Sequence, residues 1–509
     1  MINLGTRKWN RASLRTCRSY STYSDITVVG NDTAGIATIA ALLKTELFQP
    51  SKSHKRITLV HKAPFPSSSD YNNSDIQKIP DQDTPQYFSR QNPITTINFS
   101  TLQFLHSLGA LDKMNHKLIT PYKKLFVNEM FGKSYVSFND QLIDQDFISQ
   151  FKQRVYNETL SSHDYNYFGK NSLGASVERN HIQSILYDMV RDDEKCEVIQ
   201  QEIKTIRPGK DESTSTIELQ DGRIIKTKLI IGNDGENSYV REAHDIESTS
   251  HPYGQQCITR TLIHERSLEG CYQRFLPTGP IALMPLWGNY SQLVWSASDE
   301  LAEELISIPD EAFFGEVNRK FYEGSKYDFG RYSEILPNFW PRDNYEMPPL
   351  VVNSNEASQF RPRAYDLKSQ SAIHHADTRV ALIGDAAMKL HPITAHGFNL
   401  NITSAAILAN EIIKQARCGG DIGNYPFCLK NYAHLSKLNE LQARALVEAF
   451  KKGFQDTFFG NEKVGKALSF VRNIGLDILE VNPMLKYDLA FISAGCINHP
   501  LKYQWTEEL

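Results

Sequence analysis

The sequence lacks three features that would assign it to common classes of protein. None of its seven cysteines lies in a Cys-x-x-Cys spacing, which argues against zinc, iron–sulfur and redox-disulfide chemistry. No run approaches the roughly 18–20 apolar residues that span a bilayer. The net charge is −4 and the isoelectric point is about 6.4, so the chain has no electrostatic footprint for nucleic acid.

Acidic side chains are also missing from the first 20 residues. This segment is rich in arginine and serine, the composition of a mitochondrial presequence. Its five basic residues are Arg7, Lys8, Arg11, Arg15 and Arg18. Residues 18–21 resemble a matrix-peptidase cleavage site, so we expect residues 1–20 to be a transit peptide. The alternative is a disordered basic N-terminus with no targeting role.

The rest of the chain has the composition and the element order of a folded α/β protein. It belongs to a sequence of 509 residues with 40% hydrophobic and 22% charged side chains. Strand, turn, helix and strand follow one another over residues 25–61, which is a βαβ unit of the dinucleotide-binding kind. Residues 196–226 predict a β-meander, residues 253–298 are dominated by strand signals, and the part after residue 425 is predicted to be helical.

The first of three glycine-bearing turns follows the first strand. In the dinucleotide fingerprint, glycines make the turn, admit the pyrophosphate and let helix and strand pack closely. Gly30 and Gly35 fill the first and third of these roles, whereas Asp32 stands where the second glycine belongs. Taken alone, the turn is equally consistent with a structural helix that has Asp32 as its N-cap.

Two further turns follow, at 232–235 and at 384–387. The second of them runs into His391-Pro392 and a predicted helix. A strand that ends in Gly-Asp before a Pro/Gly-rich loop and a helix is typical of a flavin site. The aspartate accepts a ribityl hydroxyl proton there, and the helix N-terminus faces the electron-rich edge of the isoalloxazine. Three turns in this order are much more specific than any one of them.

The order of the three turns resembles class A FAD-dependent aromatic monooxygenases, the family with the para-hydroxybenzoate hydroxylase fold. Within it, segments 273–282 and 293–296 are similar to the mitochondrial monooxygenases of ubiquinone biosynthesis. The resemblance covers essentially the whole chain after residue 20. It implies an α/β fold in which a Rossmann-like FAD-binding domain carries an inserted antiparallel β-sheet substrate domain and a helical C-terminal region.

The resemblance also implies domain limits and cofactor contacts. The FAD-binding domain would comprise residues 21–244 and 371–420, the β-rich substrate domain 245–370, and the helical region 421–509. The implied cofactor-binding residues are Gly30, Gly35, Arg90, Gln183, Asp234, Gly235, Gly384, Asp385, Pro392, Gly397 and Asn399. No catalytic side chain is implied, because in this family the flavin carries the chemistry.

The implied reaction is hydroxylation of the aromatic ring of a polyprenylated phenol or benzoate intermediate in ubiquinone biosynthesis. The resemblance further implies ferredoxin and ferredoxin reductase as electron donors, other ubiquinone-biosynthesis proteins as partners, and a peripheral contact with the matrix side of the inner membrane. The strands around 281–285 and 293–295 are either the roof of the substrate pocket or ordinary core. The aromatic stripe at 446–460 either rests on a membrane or faces the core.

Several residues depart from the family pattern at the flavin motifs. At about 5 Å and an effective dielectric near 20, the Asp32 carboxylate would repel a pyrophosphate charge by roughly 3 kcal/mol. His61 replaces an acidic residue expected to bind the ribose. Unusual residues also stand near the expected flavin ring, at Met388, Ala395, His396 and Asn401. A second hypothesis is therefore a flavin-deficient homologue that acts as a structural or lipid-binding subunit.

Overall fold

The protein is represented by a computed structural model. It describes residues 21–50, 55–68, 93–130, 134–138, 172–209, 212–324, 346–394, 396–454, 462–482, 485–486, 489 and 503–506. The predicted transit peptide, Arg90 and Ala395 lie outside the described residues, so the predictions made for them stay predictions.

The helices and strands alternate through the first half of the described chain. In chain order the strands are β1 (Ser21–Val29), β2 (Ile57–His61), β3 (Ile94–Ile97), β4 (Ile119–Tyr122), β5 (Lys124–Glu129), β6 (Tyr135–Phe138), β7 (Gly174–Glu178), β8 (Cys196–Gln200), β9 (Ile203–Arg207), β10 (Ser215–Leu219), β11 (Ile224–Gly232), β12 (Ser248–Ile263), β13 (Gly270–Leu276), β14 (Gly279–Pro285), β15 (Tyr290–Ser298), β16 (Arg363–Ala372), β17 (Ala376–Asp377), β18 (Val380–Leu382) and β19 (Met388–Lys389). The helices are α1 (Thr33–Leu43), α2 (Phe99–Ser107), α3 (Arg179–Arg191), α4 (Tyr239–Ala243), α5 (Asp299–Ser307), α6 (Asp310–Tyr322), α7 (Gly397–Arg417), α8 (Lys430–Gly453) and α9 (Glu462–Val481).

The first sheet has a parallel centre in the order β18-β11-β1-β2-β8. Its central strands are apolar on both faces, as Ile230 and Ile231 of β11 show, because these neighbours point to opposite faces and have no exposed surface. Such strands need cover on each side, and on one side β1 packs in a common core with α1 and α7. The carboxyl ends of β1, β11 and β18 lead into the three glycine-bearing turns, which therefore meet at one edge of the sheet.

The meander differs from the prediction at its first strand. Residues 196–200 pair in parallel with β2, and the antiparallel meander consists of β9, β10 and β11. The polar pair Gln201-Glu202 interrupts the strand pattern between β8 and β9. Because Cys196 and Ile199 are buried, β8 completes the edge of the parallel sheet instead of extending the meander.

The second sheet is mainly antiparallel, in the order β19-β16-β12-β15-β14-β13-β5-β6. One face packs against α5 and α6 and buries a large aromatic and aliphatic core that includes Trp295 and Phe313. Strands β5 and β6 come from residues 124–138, and β19 follows the third turn, so the sheet draws on segments expected in the FAD-binding domain. The domain limits themselves stay a prediction.

Helices α8 and α9 make the described C-terminal part helical, as predicted. Phe450 on α8 and Phe454 directly after it stack on the buried Phe275 with centroids 5.9 and 3.8 Å away, which favours the core interpretation for the described part of this stripe, 446–454. Among the described residues, no helix combines the length and apolarity needed to cross a membrane, and no cluster of side chains suits a metal ion.

Candidate functional site

One cleft joins the first and third turns. The cleft is open to solvent, and the space between its walls, open solvent included, is about 810 Å³. Its walls are the N-terminal ends of α1 and α7, the start of α3 and one face of β16. Its lining includes Asp32, Thr33, Arg179, Tyr365, Asp385, Pro392 and Gly397. The described residues thus place on one cavity two helix N-termini, whose first N–H groups have no acceptor within their own helix.

The two glycines of the first turn face the second turn. Gly30 has a φ of +118°, and a Cβ built on it would lie 2.1 Å from the main-chain oxygen of Asn233. A Cβ on Gly35 would lie 2.5 Å from Nδ2 of the same asparagine. Both glycines are therefore needed for the close approach of the two turns. Their predicted contact with a pyrophosphate stays a prediction.

Asp32 combines two roles at the mouth of the cleft. As the N-cap of α1, its Oδ1 accepts a hydrogen bond of 2.7 Å from the N–H of Thr33. The same oxygen accepts a bond of 2.7 Å from Nη2 of Arg179, at the start of α3. The Asp32 carboxylate is therefore neutralised by a guanidinium, whereas the sequence alone suggested an uncompensated charge. The coulombic effect of Asp32 raises the pKa of Arg179 above its ordinary value.

The second turn is held by its own side chains. The carboxylate of Asp234 accepts hydrogen bonds from the Ser238 hydroxyl at 2.5 Å and from the Val240 N–H at 3.0 Å. Asp234 therefore holds the first turn of α4, whose N-cap is Ser238, and burial raises the pKa of Asp234. Arg241 donates to the main-chain oxygen of Ala386 at 2.9 Å, which ties the second turn to the third. Gly235 has a φ of +83° with open space around its Cβ position.

Asp385 is the acidic group of the third turn, and it faces the cleft. Gly384 before it has a φ of +64°, a conformation that favours glycine. Burial, followed by the nearby Asp32 carboxylate, raises the pKa of Asp385 to about 6. The structure gives the Asp385 carboxylate no hydrogen bond to another described residue. It is thus an open acceptor on the cavity wall.

The loop after the third turn is fixed to the second sheet by His391. Its Nδ1 accepts a bond of 3.1 Å from the Ile393 N–H, so the proton of the neutral ring lies on Nε2, 3.3 Å from Oε1 of Gln255. Burial lowers the pKa of His391 to about 4. Gln273 donates to the main-chain oxygen of Ile393 at 3.3 Å. These contacts place Pro392 in the cleft wall.

The N-terminal end of α7 contains the last two predicted residues. Gly397 lines the cleft, and a Cβ there would meet nothing within 4 Å. Asn399 points to the core, where Oδ1 accepts bonds from the Asn98 N–H at 2.9 Å and the Thr101 hydroxyl at 2.8 Å. Asn399 thus anchors α7 to α2, and its predicted contact with a cofactor stays a prediction.

Gln183 and His61 lie near the first turn but away from the cleft lining. Gln183, on α3, donates to the main-chain oxygen of Asn31. His61, at the end of β2, is packed against Phe65 and Tyr187, and burial lowers its pKa. Its Nε2 is buried and has no hydrogen-bond partner among the described residues. The place expected to hold an acidic ribose ligand therefore holds a neutral imidazole.

The second sheet presents a different surface to the cleft side. Ile281, Leu283, Leu293 and Trp295 belong to the core against α5 and α6. Because side chains alternate along a strand, Ala282 and Val294 point the other way, and they are paired neighbours that are only half-buried. This row continues through Gln273 on β13 and Thr259 on β12. The sequence allows these strands to be interpreted either as ordinary core or as the roof of a substrate pocket. Core packing fits only every second residue, and the residues between them face the cleft side.

Two orphaned polar atoms test whether a polar cofactor suits the cleft. Thr33 is among the residues at the phosphate end expected for FAD, and Asn401 is among those at the α7 end. Thr33 Oγ1 and Asn401 Oδ1 are buried and have no hydrogen-bond partner in the described structure. Buried polar groups are rarely left unpaired without a reason. Together with the open Asp385 carboxylate, they fit a long ligand with hydroxyl and phosphate groups.

Arg179 is the residue that sequence reasoning missed. The available signal was the carboxylate of Asp32 itself, because a carboxylate in a phosphate-binding turn needs a nearby cation to offset its charge. The partner lies 147 residues away in the chain, however, and only the packing of α3 against α1 brings the two together.

The chain is similar in sequence to ubiquinone-biosynthesis monooxygenases. It is 27% identical over 445 residues to the mitochondrial ubiquinone biosynthesis monooxygenase COQ6 of Xenopus tropicalis, covering 84% of this chain and 85% of that protein. It is 37% identical over 218 residues to COQ6 of Homo sapiens, covering 41% and 46% of the two chains. The ubiquinone hydroxylase UbiL of Rhodospirillum rubrum is 32% identical over 263 residues, covering 52% and 53%. No protein-family model matches the chain.

Solved structures share the fold. The p-nitrophenol 4-monooxygenase PnpA of Pseudomonas putida superimposes with a TM-score of 0.60 at 13% identity, covering 93% of this chain and 99% of that one. HpxO of Klebsiella pneumoniae, solved with FAD and uric acid, gives a TM-score of 0.58 at 11% identity, with coverages of 94% and 98%. The predicted fold class and the predicted relationship to ubiquinone-biosynthesis monooxygenases are confirmed.

Proposed function

We propose that this relative of the ubiquinone-biosynthesis monooxygenases binds FAD in the cleft and hydroxylates the aromatic ring of a polyprenylated phenol or benzoate. One observation carries the proposal: two helix N-termini, the open Asp385 carboxylate and the orphaned Thr33 hydroxyl converge on one cavity beside a half-exposed sheet face. That combination suits a dinucleotide with a polyhydroxyl chain, placed next to an apolar substrate surface.

The residues of the cleft divide among the parts of the cofactor. The N-terminus of α1, the Thr33 hydroxyl and the Arg179 guanidinium would hold the phosphates. Asp385 would accept a ribityl hydroxyl, and the N-terminus of α7 would lie at the flavin ring with Pro392. When bound and reduced, FAD supplies the activation of dioxygen that ring hydroxylation requires.

The substrate ring would lie against the row formed by Gln273, Ala282 and Val294. The two apolar members leave room for a flat ring, and Gln273 fixes the loop of Pro392 through the oxygen of Ile393. On the other face of the sheet, Trp295 and the core behind it keep this wall rigid and dry. Exclusion of water from the reacting centre is what this wall would contribute to the reaction.

Flavin content is the test that separates this proposal from the flavin-deficient alternative. Purified protein should show flavin absorbance near equimolar occupancy, or acquire it on titration with FAD. Asp385→Asn should weaken FAD binding at least tenfold, because hydrogen bonds to charged groups contribute about 1.5–3 kcal/mol. Glu247→Gln, at an exposed position, is the control and should bind as wild type. No uptake of FAD by the wild-type protein would contradict the enzyme proposal and favour a structural or lipid-binding subunit.

We further propose a peripheral contact with the matrix side of the inner membrane. Helix α9 supports this, because it turns polar residues inward and apolar residues outward. Asn473 is 2% exposed and contacts Glu129, whereas Val471 is 63% and Ile478 44% exposed. An outward apolar face on a helix is typical of interfacial binding.

Vesicles of phosphatidylcholine and cardiolipin test this contact. Val471→Asp with Ile478→Asp should abolish co-sedimentation, whereas Ile306→Asp, at an exposed apolar position on α5, should not. Continued binding of the double variant would place the contact elsewhere. Electron supply by ferredoxin and ferredoxin reductase, and association with other ubiquinone-biosynthesis proteins, are supported by the resemblance alone. Reduction of the bound flavin by a purified ferredoxin system tests the first of these.

A further inference from the structure

The phosphate end of the cleft contains an ion pair that the glycine fingerprint does not require. Asp32 Oδ1 is shared between the Thr33 N–H and the Arg179 guanidinium, at 2.7 Å each. The Asp32 side chain is 16% exposed and the Arg179 side chain 43% exposed, so one face of the guanidinium is open to the cavity. An arginine has five N–H donors in a fixed fork, and its hydrogen bond to Asp32 Oδ1 uses only one nitrogen, Nη2.

The pair is built into the packing of α3 on the first turn. Arg179 and Gln183 are four residues apart on α3 and so lie on one face of the helix. Gln183 donates to the main-chain oxygen of Asn31, and Arg179 to the side chain of Asp32. The turn is also held from the other side, where the Asn233 side chain donates to the main-chain oxygen of Asp32 at 2.7 Å. The carboxylate therefore holds the guanidinium at a fixed place beside the start of α1.

The charges around the pair decide what an anion would meet there. Asp385 lines the same cavity, and the Asp32 carboxylate is among the causes that raise its pKa. The lysines of this wall, Lys368 and Lys389, are paired with Glu236. Without Arg179, two carboxylates would face the phosphates of a dinucleotide with no cation free to offset them among these groups. With Arg179 present, the charge of Asp32 is neutralised, and the guanidinium still has N–H donors for a phosphate.

We propose that Asp32 and Arg179 act as one unit, in which the carboxylate positions the guanidinium to bind the pyrophosphate of FAD. The proposal rests on the proposed function in that the ligand is FAD. Arg179 would contact the phosphates directly, through a charge-assisted bidentate hydrogen bond. Asp32 would be a positioning residue that acts through Arg179. The carboxylate that replaces the second glycine of the fingerprint is thus part of an alternative phosphate site.

Titration of the apoprotein with FAD, followed by the quenching of flavin fluorescence, tests the unit. Arg179→Met should weaken FAD binding at least 30-fold, because it removes the phosphate ligand and leaves Asp32 unpaired. In a protein that already has Asp32→Asn, adding Arg179→Met should reduce the FAD affinity by a factor at least tenfold smaller, since no unpaired carboxylate remains. Arg179→Lys keeps the charge but not the fork, and we expect an intermediate loss. Arg191→Met is the matched control on α3, because Arg191 pairs with Asp188 and Asp192.

Riboflavin, which has no phosphate, separates binding from structure. If Arg179 binds phosphate, Arg179→Met should leave the affinity for riboflavin within threefold of wild type. If Arg179→Met reduced the affinities for FAD and riboflavin equally, the inference would be overturned while the proposed function stands. The same holds if Arg179→Met reduced the FAD affinity equally in the wild-type and Asp32→Asn proteins. A wild-type protein that takes up no FAD would overturn both.

Discussion

Asn233 donates a hydrogen bond from its side-chain amide to the main-chain oxygen of Asp32 at 2.7 Å. The bond joins the first glycine turn to the second, at the edge of the sheet where β1 and β11 end. Asn233 fits at this junction because Gly30 and Gly35 have no side chains, and a Cβ on either glycine would collide with the asparagine. The phosphate end of the cleft is thus a packed junction of two turns, and its glycines serve that junction.

Gly35→Ala should destabilise the protein through this junction. The new methyl group would lie 2.5 Å from Nδ2 of Asn233, and overpacking of this kind costs about 1–3 kcal/mol. Removal of the asparagine side chain in the double variant with Asn233→Ala should recover part of that loss. The free energy of unfolding in urea measures both effects. Gly315→Ala, at a helical position on α6 where a Cβ would meet nothing within 4 Å, is the control for the glycine change alone. Strictly additive losses in the double variant would contradict the steric explanation.

Much of this arrangement follows from the sequence. The buried strands before Gly30, Gly232 and Gly384 predict that the three turns end parallel strands, and parallel strands bring their carboxyl ends to one edge. The same pattern gives the α/β fold and the inserted sheet. These features depend on local signals, such as apolar runs and glycine turns, which can be recognised without knowing the tertiary contacts.

Features set by packing could not be predicted in this way. Asp32 was seen as a repulsive charge because nothing in the sequence pairs it with Arg179. Asn399 was expected at the flavin, yet its amide is used to join α7 to α2. The sequence predicts strands around 281–285 and 293–295, but which alternate set of side chains faces the cleft depends on how α5 and α6 cover the sheet. Each of these depends on contacts between distant segments.

Asp385 should make the stability of the apoprotein depend on pH. Burial raises its pKa to about 6, whereas an unfolded aspartate has a pKa near 3.8. Between these values the folded chain holds a proton that the unfolded chain has released, so this group lowers stability as the pH rises from about 4 to 6. Asp385→Asn should therefore stabilise the apoprotein by up to about 3 kcal/mol above pH 6, since each pKa unit corresponds to about 1.4 kcal/mol, and the gain should vanish near pH 4.

Unfolding of the two proteins without FAD, measured at several pH values, checks this prediction. The exposed Glu247→Gln variant should follow the wild-type curve. A gain of the same size at pH 4 and pH 8 would mean that the benefit of Asp385→Asn does not come from titration. The stabilised variant should still bind FAD more weakly, which would identify Asp385 as a residue kept for binding at the expense of stability.

Phe275 should couple the second sheet to the C-terminal helices. It is 2% exposed and stacks on Phe454 with ring centroids 3.8 Å apart. Phe275→Ala should cost about 3–5 kcal/mol of unfolding free energy, the range for buried phenylalanines. Phe454→Ala should also lower stability, yet leave the binding of cardiolipin vesicles unchanged, because this ring faces the core. Loss of vesicle binding at unchanged stability would instead place Phe454 on the membrane.

Two neighbouring positions on β15 should separate substrate binding from folding. Val294 is half-buried on the cleft side of the sheet, whereas Trp295 is fully buried on the other side. Val294→Trp should fill the proposed substrate surface and lower kcat/KM at least tenfold, with FAD affinity unchanged and stability within about 1 kcal/mol of wild type. Trp295→Ala should instead lower stability by about 3–5 kcal/mol. Hydroxylation at the wild-type rate by Val294→Trp would show that the aromatic ring binds elsewhere, because a flat ring and an indole cannot occupy the same half-exposed surface between Ala282 and Thr259.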